Sequence, residues 1–469
     1  MTHTIRRQYL HLDLQGSEAD GFALQNRLPE LCDQWLRPAM ERVLDRLAPA
    51  TGHLCIEHLE VDAGTVTLER LEQDLAEMVS RALEKALMEQ MPPSAAPSRE
   101  GSTDSTARLK TDRQAALEAF LYFLKNGRLP WSFRLPPGMG LERHLLGFWE
   151  KEPVSPSSVG LLAQTLRSPQ ARRRLVMQFS GAFLEVLLQS VSPQAYRSVS
   201  QIQVALRESS SSNAASPAVL LFEKRLWETA FAQAASGGDT EAVAMSAVAL
   251  AGLPEADFSK IEAQLKTAFD ITSPELQALL GTKPPAPSQS ANQEMPQPAA
   301  SAAGEEGLYV DNAGLVILHP FLQMFFEGLG IARDGALLQP DRALHLLHYL
   351  CTGHTPAPEY ELTLPKILCN ISLETPVEAD ITLTDREKEE AMNLLIAAIR
   401  WWEALRNTTP DALRGTFLCR PGKLSRRDEG DWLLQVEHQS FDILLAQLPW
   451  GISVVRLPWM EGMVWVEWG

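Results

Sequence analysis

The first 91 residues combine two hydrophobic periodicities. Every second residue from Leu10 to Leu14 is apolar, which predicts a half-buried strand, and Leu54 and Ile56 predict a second one. Two longer stretches place apolar residues three and four positions apart, as in amphipathic helices. These helices are predicted within residues 24–47 and 75–87. Region 1–91 is therefore predicted to be a small β-α-β-α unit.

The middle of the chain, residues 110–281, has a helical character throughout. Alanine and leucine dominate, β-branched residues are sparse, and prolines and Ser/Gly clusters separate stretches of helical length. The run Ser209–Asn213 is one such break. No fixed repeat period is evident, so an irregular array of short helices is predicted rather than a single rod.

The C-terminal region, residues 307–469, begins helical and ends in strands. The apolar run from Leu315 to Phe326 predicts a helix that is buried on most sides, and further helices are predicted at 343–350 and 386–405. Apolar residues then alternate in three short segments, which predicts strands. The segments are Trp432–Val436, Ile452–Val454 and Val464–Trp468.

Two segments have the composition of linkers. Residues 92–109 and 282–306 are rich in proline, alanine and small polar residues, and they contain too few large apolar side chains to offset the entropy of ordering. They separate the three regions. The predicted fold class is α+β and predominantly helical, with the β-α-β-α unit first, a helical middle, and a helical C-terminal unit that closes with short β-strands.

The charge and cysteine content restrict the possible partners and environment. The 42 Lys and Arg residues face 59 Asp and Glu residues, a formal net charge of -17, which argues against a nucleic-acid binder and against docking on anionic lipid. No stretch is long and apolar enough to predict a membrane span. The five cysteines are scattered, which suits reduced thiols in a cytoplasmic protein.

Catalytic motifs are missing from the sequence. No phosphate-binding loop, zinc-protease motif, nucleophile elbow or C-x-x-C pair occurs, so we expect neither an enzyme nor a cofactor. Three polar clusters leave alternatives open. The first, His345, His348, Cys351 and His354, is either a structural helix end capped at Gly353 or a zinc site.

The other two clusters are also open to a structural and a functional interpretation. The second, His53, Glu57, His58, Glu60 and Asp62, is either an exposed strand face or an acid/base or metal site. The third, Arg172 to Arg174, is expected to be a solvated helix surface, with docking on an acidic partner as the alternative. We expect the structural interpretation in each case.

Tryptophan is concentrated at the C-terminal end. Seven of the eleven tryptophans lie between Trp401 and Trp468. Most are expected in the core, and an exposed subset would mark a contact with another protein. The residues predicted to bind a partner are Trp450, Trp459, Met460, Trp465 and Trp468.

Several short motifs stand near the two ends of the chain. At the N-terminal end these are HTIRRQ (His3–Gln8), GFALQNRLPELC (Gly21–Cys32) and GHLCIEHLEVDAGTV (Gly52–Val66). At the C-terminal end they are HPFLQMFFEGLG (His319–Gly330), LLHYLCTG (Leu346–Gly353), LPKILC (Leu364–Cys369), and the closing elements Leu448–Trp450, Leu457–Met460 and Val466–Trp468. Taken in order, these motifs resemble the tape measure proteins of contractile injection systems, which are phage-tail-like particles. The resemblance covers residues 1 to about 90 and about 307 to 469.

The resemblance implies a non-enzymatic assembly role. A member of this family would set or initiate the length of the inner tube and sheath of the particle. The implied partners are inner tube, baseplate or spike hub and cap proteins, and an AAA+ ATPase. The chain would be cytoplasmic during assembly and could be packaged in the particle. A folded adaptor or chaperone that binds tube, baseplate or ATPase components through the Trp-rich C-terminus is the alternative.

Overall fold

A computed structural model gives the arrangement of most of the chain. The residues that the structure describes are 3–5, 8–49, 52–90, 107–136, 138–151, 154–209, 217–237, 241–251, 253–269, 307–427 and 430–468. The chain divides into two compact units. The first unit comprises Met1–Glu118 with Ser132–Arg134, and the second comprises Ala119–Trp131 with Leu135–Gly469.

The predicted linkers fall mostly outside the described residues. Segment 282–306 lies outside them completely, and segment 92–109 does so up to residue 106. Residues 107–109 belong to a strand. The division of the chain into three regions joined by two linkers therefore stays a prediction.

The first unit is built from helices and one two-stranded sheet. Its elements are α1 (Glu18–Leu31), a π-helical turn (Cys32–Leu36), α2 (Arg37–Leu47), β1 (His53–Ile56), a 3-10 turn (Leu68–Arg70), α3 (Leu71–Gln90) and β2 (Ala107–Lys110). Strands β1 and β2 pair antiparallel, with His53 opposite Lys110. Val43 of α2 packs against Leu83 and Leu87 of α3 and forms the centre of a small core.

The predicted strand from Leu10 to Leu14 is not formed. These residues have no regular secondary structure, and Leu10, Leu12 and Leu14 are exposed. Alternation alone does not make a strand, because an isolated extended segment needs a neighbour for its backbone hydrogen bonds. The neighbour of β1 is β2, which lies beyond α3 in the sequence.

The helical part of the second unit consists of short helices, as predicted, and the predicted break Ser209–Asn213 lies outside the described residues after Ser209. Ser155, Ser168 and Ser180 each accept a hydrogen bond from a backbone N–H of the first helical turn, so these serines cap the helices that follow them. The helices, beginning with the one that enters this unit from the first, are α4 (Asp112–Asn126), α5 (Leu141–Trp149), α6 (Pro156–Thr165), α7 (Pro169–Gln178), α8 (Gly181–Val191), α9 (Pro193–Ser209), α10 (Pro217–Ser236), α11 (Ala242–Ala251) and α12 (Glu255–Phe269).

The same unit continues with further helices and several short strands. The helices are α13 (His319–Gly328), α14 (Pro340–Thr352), α15 (Thr363–Leu368), α16 (Asp385–Trp401) and α17 (Pro410–Leu413), with a π-helical turn at Arg414–Leu418. Additional 3-10 turns are Ala313–Leu318, Glu359–Glu361, Glu403–Leu405 and Ser440–Gln447. The strands are β3 (Leu308–Val310), β4 (Ala332–Arg333), β5 (Ala336–Leu337), β6 (Gly422–Arg426), β7 (Trp432–Val436), β8 (Val454–Val455) and β9 (Val464–Trp468).

Five of these strands form one sheet in the order β3-β6-β7-β9-β8. The pair β7–β9 is parallel and the other neighbours are antiparallel. One sheet face contributes Leu424, Leu434 and Val464 to a large core that also contains α14 and α16. The strands predicted at Trp432–Val436 and Val464–Trp468 are present, whereas the one predicted at Ile452–Val454 is shifted to Val454–Val455. The predominantly helical α+β fold class is confirmed. None of the helices in the described part of the chain has the length and apolar character needed to cross a membrane.

Two predicted helices differ in detail from the structure. Residues Ala313–Leu318 form a 3-10 segment, and the α-helix begins only at His319, because Pro320 fits the first turn of a helix. The helix predicted at 386–405 ends at Trp401. The apolar run from Leu315 to Leu318 is completely buried, as the sequence predicts.

Candidate interaction surface

The outer face of the five-stranded sheet carries an apolar row across three neighbouring strands. Leu433 of β7 is opposite Trp465 of β9, and Trp465 is opposite Val454 of β8. Trp465 and Val454 are exposed, and Leu433 is half-buried. We call these three residues the sheet row. Its neighbours Ser425, Gln435 and Glu467 on the same face are polar, so the row has a polar rim on that side.

Trp465 is held in one orientation although 37% of its surface is accessible. Its indole N–H donates to Oδ2 of Asp431 at 3.0 Å, and the Arg427 guanidinium carbon lies 5.5 Å from the ring centroid. The hydrogen bonds from the Met463 backbone and from Trp465 lower the pKa of Asp431. A fixed, partly exposed tryptophan next to an arginine is typical of the residues that dominate protein–protein interfaces.

The other four predicted partner-binding residues face the core. Trp450 donates its indole N–H to the carbonyl of Ile317 at 2.9 Å, and Trp459 donates to the carbonyl of Leu368 at 2.8 Å. Both are half-buried. Met460 is buried, and Trp468 is half-buried with the Arg420 guanidinium carbon 5.5 Å from its ring. Four of the five residues thus pack toward the core, and only Trp465 is exposed. A partner-binding role for these five residues stays a prediction.

The arginine triplet is not a uniformly solvated surface. Arg174 is completely buried, and Nε donates to Oε2 of Glu359 at 2.9 Å. Its other nitrogens donate to the carbonyls of Leu124 and Glu374, both at 2.6 Å. Only Arg172 and Arg173 remain at the surface, half-buried or exposed. The expectation of a solvated triplet is wrong for Arg174, because its full set of hydrogen-bond acceptors permits burial.

A second cation shares the same carboxylate. Nζ of Lys366 donates to Oε1 of Glu359 at 2.6 Å and to the Thr375 carbonyl at 2.7 Å. Burial lowers the pKa of Lys366, and Glu359 opposes that shift. We call Arg174, Glu359 and Lys366 the buried triad. It joins α7 to the segment around α15, two parts of the chain that are nearly two hundred residues apart.

The sequence does contain a signal for the burial of Arg174. Ala171, Arg174, Leu175 and Gln178 share one face of α7 at spacings of three and four, and Ala171 and Leu175 are buried. Gln178 also belongs to this contact: its side chain donates to the Val377 carbonyl at 2.7 Å. The spacing of Arg174 from the buried Ala171 and Leu175 indicates a position on the apolar side of α7. The three consecutive positive charges favoured an exposed surface instead.

The first histidine cluster forms a helix end, as expected. Helix α14 ends with Gly353 in the left-handed conformation at φ 75°. Nε2 of His345 lies 2.7 Å from the Glu378 carbonyl, and Nε2 of His348 lies 2.8 Å from Oε2 of Glu361, so the two rings bind different partners. His354 is exposed. Over the described ranges, no group of three or more His, Cys, Asp or Glu residues has the arrangement of a metal site.

The second polar cluster is dispersed. Strand β1 ends at Ile56, so His58, Glu60 and Asp62 follow it in irregular backbone and are not aligned on a strand face. Nε2 of His53 lies 3.2 Å from an Asp112 carboxylate oxygen. Oδ1 of Asp62 accepts the N–H of Gly64 in a turn. This arrangement has the features of exposed surface and turn structure.

The comparisons with known proteins agree with the resemblance of the two ends and extend it. No curated protein and no solved structure matches the chain. A family model described as contractile injection system tape measure protein matches residues 2–468. The match includes the helical middle, which the short motifs at the two ends do not cover. The chain belongs to the contractile injection system tape measure protein family.

Proposed function

We propose that this chain takes part in setting the length of the inner tube and sheath of a contractile injection particle, as a protein component and not as an enzyme. The observation that carries the proposal is the match of the family model to residues 2–468. The chain would be made in the cytoplasm and packaged with the tube. Its proposed partners are inner tube, baseplate or spike hub and cap proteins, with an AAA+ ATPase as a further assembly factor.

The proposed mechanism does not use a single helical rod. The longest α-helices of the described residues, α3 and α10, have 20 residues each, or about 30 Å at 1.5 Å per residue. The other described helices are shorter, and the strands are at most five residues long. We therefore assign the variable part of the length to 282–306 and to residues 92–106 of the first predicted linker, because residues 107–109 belong to β2. We assign the attachment points to the folded regions.

Removal of the chain from a producing strain tests the assembly role. We expect particles of unregulated length, or tubes that stop early, in negative-stain electron micrographs of the deletion strain. Expression of the full-length chain from a plasmid should restore the original length distribution. Particles with the original length and yield in the deletion strain would contradict the proposal.

The second candidate function is that of a folded adaptor or chaperone. The sheet row favours it, because Trp465 is fixed in orientation and exposed on a rigid sheet. We expect Trp465→Ala to weaken capture of tube, baseplate or ATPase components from a producing strain. Trp401→Ala is the matched control, since Trp401 is 69% exposed and lies outside the sheet. Equal capture by both variants would argue against this function.

Replacement of Trp459 is not a suitable test of the adaptor function. Trp459 packs on Phe326 with ring centroids 5.7 Å apart, and its indole N–H binds a backbone carbonyl. The Trp459→Ala change would therefore remove core contacts and destabilise the unit whether or not a partner binds there. Trp465→Ala removes an exposed ring and leaves the core side of the sheet unchanged.

A further inference from the structure

A groove with cationic walls lies on the second unit, away from the sheet row. It has a volume of about 880 Å³ and is lined by α7, α10, α11 and the segment Thr375–Pro376. Its charged lining residues are Arg172, Arg173, Arg225 and Glu228. We call it the basic groove. Three cations and one anion give it a formal charge of +2, on a chain whose total is -17.

The cations of the groove are incompletely neutralised. Nε of Arg173 is 3.9 Å from Oε1 of Glu228, and Nη1 of Arg225 is 3.3 Å from Oε2 of the same carboxylate. Arg172 uses Nη1 to bind the carbonyls of Leu166 and Arg167, which adds no negative charge. Two guanidinium groups that share one carboxylate leave hydrogen-bond donors and positive charge for a further acidic group.

The groove also contains an unused acceptor. Oε1 of Gln233 on α10 is buried, and it has no hydrogen-bond partner among the described residues. A buried amide oxygen without a donor is costly, and a rotation of the Gln233 side chain toward the groove would let a peptide N–H satisfy it. Val248 of α11 is 48% exposed in the same groove and offers an apolar wall.

We propose that the basic groove binds an extended, acidic peptide segment of a partner protein. Carboxylate side chains would pair with Arg173 and Arg225, a backbone N–H would donate to Gln233, and an aliphatic side chain would rest on Val248. The groove volume lies within the usual range for bound ligands and accommodates a short peptide segment. This inference does not depend on the proposed length-setting role.

Fluorescence anisotropy with the full-length chain tests this proposal. The probe is a fluorescein-labelled nonapeptide with the repeat Glu-Glu-Leu, and its comparison peptide has the repeat Gln-Gln-Leu. We expect the acidic peptide to bind more tightly and its affinity to fall as salt rises. The double variant Arg173→Gln/Arg225→Gln should lower that affinity about tenfold.

A matched double variant distinguishes the effect of the groove arginines on peptide affinity from the effect of the chain's net charge. Arg333→Gln/Arg400→Gln removes two exposed arginines elsewhere on the same unit, and it should leave the affinity unchanged. Equal losses in both double variants, or no binding of the acidic peptide to the wild-type chain, would overturn the proposal. Tighter binding of a labelled oligothymidylate at the groove would also overturn it, because the ligand would then be a phosphate chain. Unchanged thermal unfolding verifies that each variant is folded.

A separate observation concerns two thiols, one near the end of α14 and one directly after the π-helical turn at Arg414–Leu418. Sγ of Cys351 is 3.6 Å from Sγ of Cys419, although the residues are 68 positions apart. Cys419 is exposed as a residue, although its thiol also donates to the Cys351 carbonyl at 3.3 Å, and Cys351 is buried. The contact with Cys351 lowers the pKa of Cys419, with Arg414 adding to this shift against the effect of burial. The same contact, together with burial, raises the pKa of Cys351 well above its ordinary value.

We also infer that Cys351 and Cys419 are a site of reversible oxidation by hydrogen peroxide. The Cys419 thiolate attacks one peroxide oxygen, the O–O bond breaks, and Cys419 becomes a sulfenic acid with release of one water. The Cys351 thiol then attacks the Cys419 sulfur and a second water leaves, which gives the disulfide. Each cysteine loses one electron and one proton, and the peroxide is reduced to two waters. A side-chain rotation must bring the sulfurs from 3.6 Å to about 2.05 Å.

Peptide mass mapping after hydrogen peroxide treatment tests this inference. We expect a linked pair of peptides containing Cys351 and Cys419, the loss of two free thiols, and reversal by dithiothreitol. Cys419→Ser should abolish the link, whereas Cys369→Ser, a change at another buried thiol, should preserve it. Cys419 oxidised to sulfinic acid with Cys351 still free, or a link between other cysteines, would overturn the inference.

Discussion

At the scale of single residues, buried charge is the main feature of the second unit. Arg174, Glu359 and Lys366 are each nearly inaccessible, and each charged group hydrogen-bonds directly to an opposite charge or a backbone carbonyl. Transferring two positive charges and one negative charge from water into the protein costs free energy. The attraction between them offsets this cost only while all three side chains are present. The triad therefore makes the packing of α7 on the α15 segment specific.

The first prediction concerns the anion of the triad. Glu359→Gln leaves Arg174 and Lys366 buried without a counter-charge, so we expect the free energy of unfolding to fall by about 3–5 kcal/mol. Denaturant unfolding of the purified chain measures this. Glu374→Gln is the control, because the Glu374 side chain is exposed, and it should change stability by less than about 0.5 kcal/mol. A loss as small as that of the control would contradict the triad's role.

The second prediction concerns pH. Burial lowers the pKa of His345 below its ordinary value of 6.5, and its hydrogen bond to the Glu378 carbonyl opposes this. The folded state therefore binds a proton at His345 less readily than the unfolded state does. Protonation does not affect the free energy of unfolding above pH 6.5, and it lowers that free energy as the pH falls below 6.5. Between pH 7.5 and 5.5, we expect the wild-type urea midpoint to decrease, and to decrease less in His345→Gln.

The exposed His354 provides the control for this pH dependence. His354→Gln should keep the wild-type decrease in the urea midpoint. The lowered pKa values of Glu387 and Asp442 act at a different pH. Burial raises both, but the hydrogen bonds from Arg342 and Arg420 outweigh it, so their stability is present above about pH 4.5 and lost only in more acidic solution. Equal pH dependence in wild type and His345→Gln would contradict the assignment.

At the scale of elements, the sequence predicted those segments whose boundaries are set locally. Ser155, Ser168 and Ser180 cap helices at the breakers, and Gly353 ends α14. The strand predicted at Leu10–Leu14 failed because strand formation depends on a distant partner. Local spacing places Arg174 on the apolar side of α7, and strand alternation places Trp465 on the face opposite Val464. The hydrogen-bond acceptors that allow Arg174 to be buried, Glu359 and the Glu374 carbonyl, belong to a distant segment, so local spacing could not identify them.

The third prediction concerns the contact between two such segments. A Cβ on Gly314 would lie 1.7 Å from the carbonyl oxygen of Phe417, so the 3-10 segment and the π-helical turn at Arg414–Leu418 can approach only over a glycine. We expect Gly314→Ala to lower the free energy of unfolding by about 3 kcal/mol or more. Differential scanning calorimetry of the purified variant measures the change.

A second glycine substitution provides the control for Gly314→Ala. A Cβ on Gly328 at the end of α13 would meet no atom within 4 Å. Alanine also favours the helix over glycine, so Gly328→Ala should leave stability unchanged or raise it by about 0.5 kcal/mol. A mild effect of Gly314→Ala, similar to that of Gly328→Ala, would contradict the close approach.

At the scale of the whole molecule, the family and the architecture restrict how length can be set. The chain belongs to a tape measure family, yet its described residues form short helices and small sheets. Even 469 residues in one continuous helix would be about 700 Å long, and the longest helix described here is about 30 Å. We therefore propose that the length function resides in the segments that the sequence predicts as linkers.

The most direct test is tube length as a function of the length of segment 282–306. Insertion of 20 and 40 residues of the same composition, and deletion of 20, should lengthen or shorten the particles in proportion. We expect about 1.5 Å per residue if the segment is helical in the particle and about 3.3–3.6 Å if it is extended. A shuffled segment of the original length should leave the particle length unchanged. Electron micrographs in which all the variants produce particles of the original length at normal yield would contradict the account.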